Sequence, residues 1–105
     1  LNFELGEERG KIKWEDLRYF NSEAELQAFL QADQTNEMQY IREDFDCDDF
    51  AFMLCDNARK AGYIIYPMVV NYGWSYHMKC FTIIGNRIYS IEPQKDSFLT
   101  WGFID

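Results

Sequence analysis

The chain has 105 residues, 48% hydrophobic and 18% aromatic, with 18 acids against 10 bases for a net charge of -8. That length and apolar content fit one packed domain over 1–105 and exclude a disordered chain. The acidic balance, with no basic cluster, excludes nucleic-acid binding by phosphate neutralisation, and no apolar run approaches the ~20 residues that span a bilayer.

The chain starts at Leu1 rather than Met, as expected of a piece cut from a longer protein. No signal peptide is visible. The three cysteines, Cys47, Cys55 and Cys80, form an odd set without zinc-ligand spacing. Cys47 and Cys55 fall on one predicted helix, about 12 Å apart, too far for a disulfide. A soluble protein of a reducing, cytoplasmic compartment is the expectation.

Residues 1–10 are polar and glycine-punctuated, an expected ill-ordered lead-in. Residues 11–14 alternate like a short strand, and Trp14, Leu17, Tyr19 and Phe20 are expected to anchor this segment on the core. Ser22-Glu23-Ala24-Glu25 reads as a capping box, and the stripe Leu26, Phe29, Leu30 predicts a helix over 22–33. A second helix is predicted over 47–61, with Gly62 as its C′ residue. Its first half is apolar nearly all round, which predicts a central, buried helix.

Everything after Gly62 reads as β-structure. Strands are predicted over 63–70, 77–84, 87–92 and 98–104, broken at Asn71-Tyr72-Gly73, Gly85-Asn86 and Pro93. With Gly85-Asn86 as a two-residue turn, Ile84 pairs with Arg87, Lys79 faces Glu92 and His77 faces Gln94. His77, Glu92 and Gln94 then share a face with Phe81, Ile83 and Ile88, the face expected to pack on the second helix.

The chemistry-bearing stretch is Phe45-Asp46-Cys47-Asp48-Asp49-Phe50-Ala51. A cysteine at a helix N-terminus is biased toward thiolate by unpaired N–H groups and the helix dipole. His77 is the single histidine and the natural base for such a thiol, with Glu92, or Gln94 in its place, as the group that orients the imidazole. Trp74 and Tyr76, beside His77, are the candidates to wall a cleft. The acids oppose activation, since carboxylates near a thiol raise its pKa. Three readings of them are open: they cap the helix, they face solvent, or Asp46, Asp48 and Asp49 with Gln94 hold a cation.

This order of residues, with His77-Met78 and Ile91-Glu92-Pro93-Gln94, resembles the papain-like and transglutaminase-like cysteine peptidases. It is most similar to the papain-like domains that include the C-terminal domain of the Marasmius mushroom agglutinin and related bacterial and phage domains. The resemblance implies an α+β fold, papain-like, with a central buried helix packed on a small antiparallel sheet. It implies a catalytic triad of Cys47 as nucleophile, His77 as base and Glu92 as orienter, and calcium or manganese as an activating divalent cation. Gln39 is the nearest candidate for an oxyanion-hole amide. The expected activity is a thiol hydrolase cleaving peptide or amide bonds of a protein substrate through an acyl-enzyme. The alternatives are a non-enzymatic binding or structural module on the same fold and a transglutaminase-type acyl transferase.

Overall fold

The computed structural model describes residues 14–37 and 46–104. After a 3-10 turn at Trp14–Asp16, helix α1 runs over Glu23–Ala32. The Ser22 hydroxyl accepts the Glu25 N–H at 3.1 Å, one half of the expected capping box. The other half moves back one residue: the Glu25 carboxylate accepts from the Asn21 N–H at 2.7 Å. Arg18 grips the same carboxylate with two bonds of 3.0 and 2.8 Å, which holds it down to a pKa of about 2.

Past α1, Asp33 stitches the next segment in place. Its carboxylate accepts from the Thr35 N–H at 2.9 Å and from the Asn57 amide at 2.7 Å. The 3-10 turn Thr35–Glu37 is thereby tied to helix α2, Cys47–Lys60. Gly62 follows α2 at φ +93°, a left-handed conformation that a side chain resists, as a C′ glycine should.

Four strands complete the fold: β1 Tyr66–Asn71, β2 Tyr76–Ile84, β3 Arg87–Glu92 and β4 Ser97–Phe103. They form one antiparallel sheet in the order β1-β2-β3-β4. Ile84 pairs with Arg87 and Ile83 with Ile88, the register that a two-residue Gly85-Asn86 turn dictates. The ladder ends at Cys80–Ile91, so the expected pairs of Lys79 with Glu92 and His77 with Gln94 lie beyond it. An isolated parallel bridge, Arg18 to Tyr63, attaches the lead-in to the chain leaving α2.

The core lies between α1, α2 and the sheet. Leu26 and Leu30 come from α1, Ala51, Leu54, Cys55 and Ala58 from α2, and Cys80 and Ile91 from the sheet. Complete burial of side chains such as Leu54 stabilises this layer by roughly 1.5–3 kcal/mol each.

Two expectations are corrected by this packing. A central helix buried on all sides, as in a papain-like domain, does not form. Phe52 is 45% exposed, so α2 presents one side to the sheet and another to solvent. The architecture is a small four-stranded antiparallel sheet with two helices; the α+β composition is compatible, the papain-like packing is not what is seen. The sheet face is also the opposite of the one expected. Cys80 donates its thiol to the Ala51 carbonyl at 3.5 Å, and Met78 and Ile84 pack on the same cluster. By strand alternation Phe81 and Ile83 occupy the other face, where Phe81 stacks on Tyr66 at 4.9 Å. Both faces of β2 are apolar, so alternation alone does not choose between them. The small, completely buried Cys80 is the residue that meets the helix backbone at Ala51. No helix among the described residues is long and apolar enough to cross a membrane.

Candidate binding site

Cys47 opens α2, preceded by Asp46 at the N-cap position. The acids around it have local work. The Asp49 carboxylate accepts the Asp46 N–H at 3.1 Å, and Asp48 accepts the Cys47 thiol at 3.6 Å. Burial pushes the thiol pKa up; the Met78 backbone amide acts in the opposite sense, and the Asp48 and Asp46 carboxylates push it up again. The net shift is upward, which favours the neutral thiol that donates to Asp48. The helix-start position alone points the other way, toward a thiolate.

His77 lies near the start of β2 and Glu92 at the end of β3, and the structure brings them together. His77 Nε2 is 2.6 Å from Glu92 Oε1. The second oxygen, Glu92 Oε2, accepts the Gln94 backbone N–H at 3.2 Å, so the carboxylate is held at both ends. The partner of the imidazole is therefore Glu92, and Gln94 contributes through its backbone. Among the described residues no hydrogen bond joins the Cys47 thiol to the His77 ring. Gln39 lies outside the described residues. Among those residues, no group of three or more His, Cys, Asp or Glu side chains is arranged to hold a metal ion.

Trp74 and Tyr76 flank the His77 end of β2. They are 86% and 72% exposed, Trp74 in the β1–β2 connection and Tyr76 at the first position of β2. That connection is a built turn. The Asn71 side chain accepts the Gly73 N–H at 2.8 Å, and the Tyr72 N–H bonds the Ser75 carbonyl at 3.0 Å. Gly73 sits at φ +92°, where only glycine is comfortable. The turn places the Tyr72 and Trp74 rings 6.0 Å apart and 28° from parallel, a stacked pair facing outward. The rings are held by a fixed turn, so presenting them costs little ordering entropy at the moment of binding. The alternation Tyr72-Gly73-Trp74-Ser75-Tyr76 was the available signal for this platform. Aromatic residues are more often core, which hides it.

No family model matches the chain, and no curated protein does either. Solved structures do match. One is the PSL1a-E64 complex, with a TM-score of 0.68 at 17% identity, over 89% of this chain and 44% of that one. Another is the Polyporus squamosus lectin bound to the human-type influenza-binding epitope Neu5Aca2-6Galb1-4GlcNAc, with a TM-score of 0.67 at 18% identity, over 84% of this chain and 41% of that one. The chain thus spans less than half the length of these neighbours. At such identities the likeness establishes the fold alone. These findings correct the resemblance to papain-like and transglutaminase-like cysteine peptidases and the thiol-hydrolase reading that rested on it, and they lend no support to a peptide or protein substrate. One of these neighbours carries the name of a lectin, and in the present chain the Cys47 thiol donates to Asp48. The fold is the one seen over that part of these structures.

Proposed function

We propose that this domain is a non-enzymatic carbohydrate-binding module that captures its ligand on the Tyr72–Trp74 platform. The observation that carries this reading is the stacked, outward-facing ring pair on a hydrogen-bonded turn, with Trp74 86% exposed. A large aromatic side chain left in water costs free energy that a ligand recovers by covering it. The C–H face of a pyranose ring has the flat, weakly apolar surface that an indole ring can cover. Tyr76, also exposed, extends the aromatic surface along β2 and adds a phenol for sugar hydroxyls.

The lectin name of one solved neighbour supports the same class of ligand. Charge refines it: at a net -8 the domain repels anions at long range, which favours neutral over sialylated sugars.

The test is a 1H–15N titration with neutral and sialylated oligosaccharides at millimolar concentration. The expected outcome is movement of the Trp74 indole resonance with the neutral sugars, weakened at least about tenfold by Trp74→Ala at unchanged thermal stability. A Trp74 resonance that stays fixed with every sugar refutes the proposal.

A further inference from the structure

The core holds a second pair of reactive groups that the binding site does not use. Cys55, in the middle of α2, and Cys80, in the middle of β2, place their sulfur atoms 3.7 Å apart. Sequence spacing gave no hint of this, because the two residues are 25 positions apart and lie on different elements. Their neighbourhood is apolar: Cys80 is fully buried and Cys55 is 8% exposed. Each thiol has the other as a hydrogen-bond partner, and Cys80 also donates toward the Ala51 carbonyl.

We propose that Cys55 and Cys80 are a cross-linking site, closed to an intramolecular disulfide by exchange with a low-molecular-weight disulfide. Cys55 reacts first, because it alone of the two keeps some contact with solvent. Its thiol loses a proton, the sulfur attacks one sulfur of the small disulfide, and one equivalent of small thiol leaves. Cys80 then gives up its proton and attacks Cys55 in the mixed disulfide, releasing the second equivalent. The two protein thiols lose two electrons and two protons in total, and one small disulfide is reduced to two thiols. The sulfur atoms must close from 3.7 Å to about 2 Å, a movement on the scale of a side-chain adjustment. Oxidation is slow in the closed fold, since burial and the neighbouring thiol hold Cys80 well above the ordinary thiol range. Once made, the bond fastens α2 to β2 and restrains the unfolded chain.

The experiment uses the full chain and, beside it, Cys47→Ser, which removes the more accessible thiol and leaves the pair intact. Both are incubated folded with oxidised glutathione at pH 8. Non-reducing peptide mapping then reads out the linkage, and thermal unfolding the stability. The expected result is a peptide pair joining Cys55 to Cys80, a fall from two free thiols to none in Cys47→Ser, and a midpoint raised by about 10 °C or more. Two thiols still free after native oxidation overturn the proposal. So does a glutathione adduct on Cys55 that never resolves, or a bond formed between two chains.

Discussion

Replacing Asp96 by Asn should stabilise the protein at neutral pH and do little at acid pH. Asp96 sits in the turn between β3 and β4, with one carboxylate oxygen buried and without a hydrogen-bond partner among the described residues. Burial, then the charges of Asp33 and Glu37, raise its pKa from 3.8 to about 6. Asp33 cannot swing clear, because Thr35 and Asn57 hold it. A carboxyl whose folded pKa lies above its unfolded value favours folding while it is protonated. Stability is therefore fully present below about pH 4 and is lost as pH rises through about 6. A shift of about two units corresponds to about 3 kcal/mol. Asp96 is only partly buried, and solvent screening reduces that to about 1 kcal/mol. For a domain of this size that is about 4–8 °C in the midpoint of thermal unfolding. Asp96 has φ +54°, and Asn tolerates this left-handed region as well as Asp does, so the backbone is not a confounding cost. Thermal unfolding of both proteins at pH 4 and pH 7.5 measures the effect. A variant no more stable than the parent at pH 7.5, or equally stabilised at both pH values, would refute the reasoning.

Two further outcomes follow from named contacts. Cys47 should react with iodoacetamide at pH 7 more slowly than free cysteine, because burial and Asp48 keep it protonated, and Asp48→Asn should speed it up. A wild-type rate above that of free cysteine contradicts the protonated thiol. Thr82→Val should cost about 1–2 kcal/mol in urea unfolding. It keeps the side-chain shape but removes the 2.7 Å bond from the fully buried Thr82 hydroxyl to the Ile64 carbonyl, leaving that oxygen unpaired. An unchanged denaturation midpoint would show that water reaches Ile64.

Local signals were legible in the sequence wherever a residue type has one mechanical use. Ser22 marks the start of α1, Gly62 the end of α2, and Gly85-Asn86 the turn that fixes the β2–β3 register. The approach of His77 to Glu92 followed from the same hairpin reasoning. What the sequence could not choose was which face of β2 meets α2, because both faces carry apolar residues and the contact of Cys80 with Ala51 and Cys55 joins elements far apart in the chain. The state of the Cys47 thiol was a balance of opposed influences: the helix start favours charge, burial and Asp48 oppose it, and their weights depend on distances. Cys55 with Cys80, and Asp33 with Asn57, are contacts between elements far apart in the chain, which no local pattern announces.

The nearest-neighbour order of the strands has a consequence for how the molecule opens. Every pairing in the sheet closes over a short connection, so the β-meander can assemble without waiting for distant segments. The N-terminal layer is different. Tyr19 reaches Tyr66 across 47 positions, and Glu23 meets the Tyr89 hydroxyl across 66. Apart from the buried Leu26 and Leu30, α1 is held by part-buried polar links and contributes no strand pairing, so it is the element whose undocking leaves the sheet ladder intact. Amide hydrogens of α1 should exchange through this partial opening, ahead of those in β2 and β3, which await global unfolding.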